Sequence, residues 1–184
     1  MKTIEALVAV SAVAAAGVLP IAAAPARGCA YDSMLFGDGT SIHVTVPAKE
    51  ACSIGTYTVT ITAKGSPAQT IRLKRDGTVV NVFFEDVTGD GKRDLVVVTT
   101  AAGSGAYGHV DVWEWKHGRY TAGIVADLSE EQRAGTRGHD TFTAAAGVLR
   151  RRLPLYAAGD LNADPTGGTA AFRWDPKTNV WVAE

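Results

Sequence analysis

Ser104 and Tyr107 are the side chains whose types and spacing most directly suggest a binding role. They lie in segment 101–108, which places glycine before, between and after them. A hydroxyl and a phenol both donate and accept hydrogen bonds, and glycine lets the backbone approach another surface closely. Loops on a rigid scaffold often carry binding residues. The segment therefore predicts a presented loop that engages a polar partner.

Catalysis by Ser104 would require a histidine base, such as His109 or His139. The nucleophile elbow of serine hydrolases has glycine two residues before and two residues after the serine, and here those positions are Ala102 and Ala106. No helical pattern follows the loop, and no acid is placed to orient a histidine. The sequence therefore favours a protein that is not an enzyme.

The turn 86–94 is a second group of polar side chains. Oxygen-bearing side chains recur along it with glycines between them, at Asp86, Thr88, Asp90 and Asp94. This resembles the start of a calcium loop, but Lys92 occupies one alternate position and Val97 stands where a bidentate Glu is needed. We favour a turn in which the carboxylates accept backbone N–H groups, with no cofactor, and keep calcium as the alternative. Segment 160–168 is a second acidic turn with the same ambiguity.

The loop at 101–108 needs two strands to position it. Residues 93–100 and 109–115 flank it, and their apolar side chains alternate as in half-buried strands, so we expect a hairpin with Ser104 and Tyr107 at its tip. Other alternating or β-branched runs predict further strands, at 41–46, 56–62, 69–74, 78–84, 140–143, 147–151, 153–156, 169–174 and 180–182.

Turn signals separate these runs every eight to twelve residues, which is typical of an antiparallel β-sandwich or barrel. Asp76-Gly77 predicts a tight hairpin turn between runs 69–74 and 78–84. One short helix is expected at 127–133, capped by Ser129. The predicted fold is thus mainly β, with one short helix.

The first residues differ from the rest of the chain. Residues 6–24 are almost uncharged, rich in Ala and Val, interrupted by Pro20, and end in three alanines. This pattern predicts a secretory signal peptide over residues 1–28 rather than a membrane span, and a single mature domain over 29–184. The protein is therefore expected to be periplasmic or secreted.

Cys29 and Cys52 are the two cysteines of the sequence. An even thiol count in an exported protein favours a disulfide between them. The alternative is that Cys29 is the lipid-modified first residue of a lipoprotein. Arg27 stands where lipoprotein processing prefers a small residue, and Cys52 would be left alone, so we favour the disulfide.

The composition and charge of the chain limit the classes of partner that it is expected to bind. The chain has 184 residues, 46% of them hydrophobic, and a net charge of −1, so a basic nucleic-acid-binding face is not expected. The run Arg150 to Arg152 is the one basic cluster, interpreted as alternate faces of a solvated strand. The four histidines lack zinc-ligand spacing.

The loop Ser104-Gly105-Ala106-Tyr107 resembles the short inhibitory motif of bacterial periplasmic lysozyme inhibitors, and most closely that of the inhibitors of invertebrate-type (I-type) lysozymes. The acidic turn before a Leu-Val-Val-Val strand, Tyr156 and the segment 159–168 add to the likeness, which extends over roughly residues 40–175.

This resemblance implies a homodimeric β-sandwich that inserts the loop into a lysozyme cleft. It assigns lysozyme binding to Ser104, Gly105 and Tyr107. It also implies a basic contact from outside the motif, without deciding among Arg119, Arg137 and Arg173.

Overall fold

The strands of the computed structural model, which describes residues 29–123 and 125–184, form three four-stranded antiparallel sheets. The predicted signal peptide, residues 1–28, lies outside the described residues. Within the described ranges, no helix has the length and apolar character needed to cross a membrane.

The first sheet is a meander of four consecutive strands, β1(Tyr31–Gly37), β2(Thr40–Val46), β3(Ile54–Ala63) and β4(Gln69–Asp76). Alternate residues along β2 and β3, such as Ile42, Val44 and Val59, are fully buried, while those between them are partly exposed. This period of two is what a sheet with one covered face requires.

The central sheet is a second meander, β5(Thr78–Glu85), β6(Asp94–Thr100), β7(Gly108–Lys116) and β8(Arg119–Gly123). The strand β6 is buried at every position from Asp94 to Thr99. The predicted half-buried alternation is therefore wrong for this strand. Its continuous Leu-Val-Val-Val run fits a strand covered on both faces.

The third sheet contains β9(Thr141–Ala145), β10(Val148–Pro154), β11(Thr169–Asp175) and β12(Val180–Ala183). The single helix of the described residues, α1(Glu130–Arg133), precedes this sheet. Ser129 caps the helix as predicted, because its side chain accepts from the N–H of Gln132 while the Gln132 side chain accepts from the N–H of Ser129.

The three sheets are stacked as layers, and a hydrophobic core lies between each adjacent pair. One lies between the first and central sheets and includes Ile42, Tyr57 and Leu95. The other lies between the central and third sheets and includes Val96, Val112 and Leu153. The predicted antiparallel β-sandwich is confirmed, the sheets are open rather than barrel-like, and a third layer extends the expected two.

The hairpin predicted at Asp76-Gly77 is wrong. Strand β4 pairs with β3 and strand β5 pairs with β6, so the dipeptide joins two sheets instead of two paired strands. The buried Arg75 guanidinium donates to the carbonyl of Gly77, and a Cβ on Gly77 would lie 2.1 Å from the carbonyl oxygen of Thr100. Close contact with the central sheet therefore sets the conformation of this turn.

Strands β1 and β8 lie outside the predicted strands. Strand β1 has alternating half-buried and exposed residues, including the exposed Met34 and Phe36, so its apolar pattern is weak. Strand β8 is five residues long and contains one buried side chain, Tyr120. Such short or edge strands depend on pairing with a neighbour more than on their own sequence.

A disulfide joins Cys29 to Cys52, as predicted, with 5.1 Å between the Cα atoms. It links a residue two positions before β1 to the turn before β3, so the start of the described chain is fixed to the first sheet. Because both sulfur atoms are in the disulfide, the lipoprotein alternative for Cys29 is not supported.

Candidate functional site

The predicted hairpin that presents Ser104 and Tyr107 is present. Strands β6 and β7 are paired from Leu95 with Trp113 to Thr100 with Gly108, and residues 101–107 form the connecting loop. The N–H of Ala101 donates to the carbonyl of Tyr107 at 2.9 Å, which closes the base of the loop. We call residues 101–107 the hairpin loop.

The hairpin loop directs its two candidate side chains to the surface. Ser104 is exposed, and half of the Tyr107 surface is accessible to solvent. Gly105 between them is needed for space, because a Cβ there would lie 2.5 Å from the ring of Tyr107. Ser104, Gly105 and Tyr107 are thus together and accessible, and their role in binding lysozyme remains a prediction.

The backbone of the hairpin loop is held by two later segments of the chain, the segment before β9 and the loop between β10 and β11. The N–H of His139 donates to the carbonyls of Gly105 and Ala106 at 2.9 and 3.2 Å. The Nδ2 of Asn162 donates to the carbonyl of Ser104 at 2.5 Å. Three consecutive loop carbonyls therefore have partners more than thirty residues away in sequence.

Gly138 permits this close approach. Its φ is +89°, and a Cβ at this position would lie 1.6 Å from the carbonyl oxygen of Gly105. A side chain would therefore collide with the backbone of the hairpin loop, so only glycine fits both the conformation and the space.

Residues 156–168, which we call the flanking loop, lie beside the hairpin loop. The carboxylate of Asp160 accepts from the N–H groups of Ala157 and Thr166 and from the Thr166 hydroxyl, at 2.7 to 2.8 Å. These bonds hold the pKa of Asp160 below its usual value. The acidic turn predicted at 160–168 is therefore held together by its own backbone donors.

A buried ion pair supports the base of the hairpin loop. Arg151 on β10 donates to the carboxylate of Asp140, with Nε at 2.8 Å, and to the carbonyl of Gly108 at 3.2 Å. Arg151 is 6% exposed, so interpreting the whole 150–152 run as solvated is wrong at this residue. Arg152 is exposed, and Arg150 pairs with Glu184.

His109 and Asp111 line one surface pocket together with Tyr107. The hydroxyl of Tyr57 donates to Asp111 at 2.8 Å, and the His109 ring lies 3.4 Å from the same carboxylate. The hydrogen bond with Asp111 raises the pKa of His109. Within the described residues no hydrogen bond joins the Ser104 side chain to His109 or His139.

The turn 86–94 lies at the opposite end of the molecule, beyond the other end of β6. The carboxylate of Asp86 accepts from the N–H groups of Gly89, Asp90 and Gly91 at 2.7 to 3.1 Å. In the described part of the chain no group of three acidic, histidine or cysteine side chains is arranged to hold a metal. This geometry agrees with the hydrogen-bonded turn, and binding of calcium is not tested by it.

Asp94 differs from the other acids of this turn. One carboxylate oxygen accepts from the N–H and hydroxyl of Thr88 at 2.9 Å, while the other is buried without a partner. Burial raises the pKa of Asp94 to about 6.

The residues that hold the hairpin loop from behind were not identified from the sequence. Asn162 is 58 residues from Ser104, and a single sequence gives no measure of such long-range contacts. The available signal was Gly138, a glycine in an otherwise polar segment before β9. Of the three arginines named for an extra contact, Arg137 is the one beside the hairpin loop, with its carbonyl oxygen 3.2 Å from a Cβ built on Gly105.

Comparisons with known proteins match the first two sheets. The family model described as periplasmic lysozyme inhibitor of I-type lysozyme (PliI) matches residues 31–125, which include β1 to β8 and end before the third sheet. The expected likeness over residues 40–175 therefore extends past the matched segment. No curated protein matches the chain.

Three solved structures are similar over part or most of the chain. PliI-Ah, the periplasmic inhibitor of I-type lysozyme from Aeromonas hydrophila, is 24% identical, covers 54% of this chain and 94% of its own, and has a TM-score of 0.44. Aeromonas hydrophila PliI in complex with Meretrix lusoria lysozyme has 24% identity, coverage of 55% and 93%, and a TM-score of 0.43. A Xanthomonas Type IV secretion system related protein has 11% identity, coverage of 83% and 92%, and a TM-score of 0.34.

The family match extends over more than half of the chain and contains the entire β6–β7 hairpin. The matched family consists of non-enzymatic periplasmic proteins that bind lysozyme, in agreement with the resemblance of the Ser104–Tyr107 motif. The chain belongs to the PliI family of periplasmic inhibitors of I-type lysozyme.

Proposed function

We propose that this protein inhibits an I-type lysozyme by inserting the hairpin loop into the active-site cleft, where Ser104 and Tyr107 hydrogen-bond the catalytic carboxylates. The observation that carries the proposal is that both side chains are exposed at the tip of a hairpin whose backbone is fixed.

The chemistry of the two groups suits a glycosidase cleft. Such a cleft holds a pair of carboxyl groups flanking the bond that is cut. A hydroxyl and a phenol can each donate to a carboxylate, and hydrogen bonds to charged acceptors contribute about 1.5–3 kcal/mol. Occupying both carboxyl groups would exclude the substrate and its water, so inhibition requires no turnover.

The fixed backbone reduces the cost of binding. The N–H of Ala106 donates to the carbonyl of Gly103 at 2.9 Å inside the hairpin loop, in addition to the bonds from His139 and Asn162. A loop that already has its bound shape loses little conformational entropy on association. Ala106, at a φ of +43°, is kept in the left-handed region by these contacts.

Arg137 is our candidate for the additional basic contact. Its side chain is exposed, and its guanidinium lies 4.8 Å from the centre of the Tyr156 ring while Nη1 donates to the carbonyl of Asp160 at 2.8 Å. The remaining N–H groups of the guanidinium can then face an acidic partner. Arg119 lies at the far end, opposite Lys116 in the β7–β8 turn.

Two further expectations complete the proposal. The signal peptide at residues 1–28 would deliver the mature domain 29–184 to the periplasm, where the family acts. A homodimer is proposed from the resemblance alone.

Calcium at the turn 86–94 has one observation in its favour. The unpartnered, buried oxygen of Asp94 is a site where a cation would supply the missing interaction. A calcium-stabilised recognition module using Asp86, Thr88, Asp90 and Asp94 is therefore kept as the second candidate.

The test measures inhibition of an I-type lysozyme by the wild type, Ser104→Ala and Tyr107→Phe. We expect each substitution to raise the inhibition constant about tenfold to a hundredfold, which corresponds to the loss of one hydrogen bond to a charged acceptor. Ser66→Ala, in the turn after β3 at the opposite end, is the matched control and should inhibit like the wild type. Equal inhibition by all four proteins, with unchanged circular dichroism, would refute the proposed mechanism.

A further inference from the structure

We propose that the flanking loop is a second lysozyme-binding element, with Leu161 as its apolar contact. The inference rests on the proposed function of the hairpin loop. The flanking loop belongs to the part of the chain beyond residue 125, so the family match does not assign it a role.

The two loops form one continuous surface. The Nδ2 of Asn162 bonds both the carbonyl of Ser104, at 2.5 Å, and the Nε2 of His139, at 3.0 Å. Leu161 is the neighbour of Asn162 in the chain, so its backbone lies within a few ångströms of the hairpin-loop contact. A cleft that receives Ser104 and Tyr107 must bring its rim against the sides of the hairpin loop, where the flanking loop lies.

The flanking loop is rigid enough to present a side chain. Besides the three bonds to the Asp160 carboxylate, the hydroxyl of Tyr156 donates to the carbonyl of Asn162 at 3.0 Å. The N–H of Asp164 donates to the carbonyl of Leu161 at 3.1 Å. These contacts fix the backbone on both sides of Leu161.

Leu161 has no packing role within its own domain. Its side chain is 74% exposed, the largest exposed fraction among the large hydrophobic residues of the described chain. A scattered exposed leucine needs no explanation. Leu161, however, lies on a hydrogen-bonded loop and is next to Asn162, which bonds the Ser104 carbonyl of the proposed interface. Burial of this exposed apolar side chain by a partner would stabilise the complex through the hydrophobic effect.

The occupant that we assign to this surface is therefore lysozyme itself, at the rim of its cleft. Together the hairpin and flanking loops would form a two-part contact. Ser104 and Tyr107 would supply polar contacts inside the cleft, and Leu161 would supply an apolar contact outside it.

The experiment compares Leu161→Ala and Leu161→Asp with the wild type in lysozyme inhibition and in direct binding to I-type lysozyme. We expect the dissociation constant to rise about tenfold for alanine and further for aspartate, which places a charge in an apolar contact. Val180→Ala is the matched control, because Val180 is an exposed apolar residue (47%) that pairs with Asp175 at the far end of β11. It should bind like the wild type.

The outcomes separate the two proposals. If the wild type inhibits and Ser104→Ala weakens inhibition, but both Leu161 variants bind like the wild type, the role of the flanking loop is overturned and that of the hairpin loop stands. If the Leu161 variants bind weakly and Ser104→Ala does not, the flanking loop contacts lysozyme while the hairpin mechanism fails.

Asn162→Ala tests the connection between the loops. We expect weaker binding together with faster hydrogen exchange of the His139 and Ala106 amides, at an unchanged melting temperature. Unchanged exchange would show that Asn162 does not couple the two loops.

Discussion

At the scale of single residues, Asp94 is a carboxyl group whose environment favours the neutral form. It is fully buried at the start of β6, and one of its oxygens has no partner. Its pKa of about 6 is raised by burial, against the lowering effect of the bonds from Thr88. The native state therefore holds this proton more tightly than the unfolded chain, in which an aspartate ionises near pH 4.

This predicts a loss of stability as the pH rises. Between about pH 4 and pH 6 the native state binds the proton and the unfolded state releases it, so the unfolding free energy falls across that window, by about 3 kcal/mol from this group. Asp94→Asn removes this titrating group. The unfolding free energy of the variant, relative to that of the wild type, should therefore increase from pH 4 to pH 7. Urea unfolding of both proteins at several pH values, in the presence of a chelator, measures the difference.

Melting curves of the wild type and Asp94→Asn, with and without calcium, test the calcium alternative. Calcium bound to the Asp94 carboxylate would raise the melting temperature of the wild type at pH 7 and leave Asp94→Asn unchanged. If calcium and chelator give identical melting curves for the wild type, the second candidate function is rejected.

At the scale of secondary-structure elements, the contact between the hairpin loop and the segment before β9 determines the shape of the proposed site. His139 donates to two carbonyls of the hairpin loop, and Gly138 allows the two backbones to meet. The site is therefore formed by elements that are about thirty residues apart in the sequence.

We expect Gly138→Ala to displace the hairpin loop, because its Cβ would occupy the position of the Gly105 carbonyl oxygen. Inhibition of lysozyme should weaken at least tenfold, and the unfolding free energy should fall by about 1–3 kcal/mol. Gly118→Ala is the control, since Gly118 has a similar φ of +79° with no atom within 4 Å of a built Cβ. It should lose some stability from backbone strain and retain full inhibition.

The elements best predicted from the sequence are those with local signals. The β6–β7 hairpin, the Ser129 cap and the Cys29–Cys52 disulfide each follow from patterns within a short stretch or from cysteine parity. Three features depend instead on contacts between distant segments. They are the pairing of β4 with β3 only, the burial of β6 on both faces, and the position of Asn162 against the hairpin loop. Asp76-Gly77 has the composition of a hairpin turn, yet the Arg75 guanidinium and the neighbouring Thr100 carbonyl direct the chain to another sheet.

At the scale of the whole molecule, the third sheet covers an apolar face of the central sheet. Val96, Val98, Val110 and Val112 are at most 5% exposed, and they belong to the core between these two sheets. Burying a valine stabilises a fold by about 1.5 kcal/mol or more, so this face is a sizeable part of a typical domain stability.

A chain of residues 29–125, which retains the family-matched part, should therefore fail to fold as a soluble monomer. We expect aggregation on size-exclusion chromatography and no cooperative thermal transition, in contrast to residues 29–184. Threonine at the four valine positions should restore solubility to the shortened chain by making the uncovered face polar. A soluble, cooperatively unfolding 29–125 chain with its valines intact would contradict this dependence.

The covered valine face also gives a way to count layers in relatives from sequence alone. In a relative with two layers, the residues that correspond to Val96, Val98, Val110 and Val112 would meet water and should alternate polar with apolar. An uninterrupted aliphatic run just before the Ser-Gly motif would instead indicate that a further sheet follows downstream. The sequence of the strand that corresponds to β6 would thus predict whether a third sheet follows in the chain.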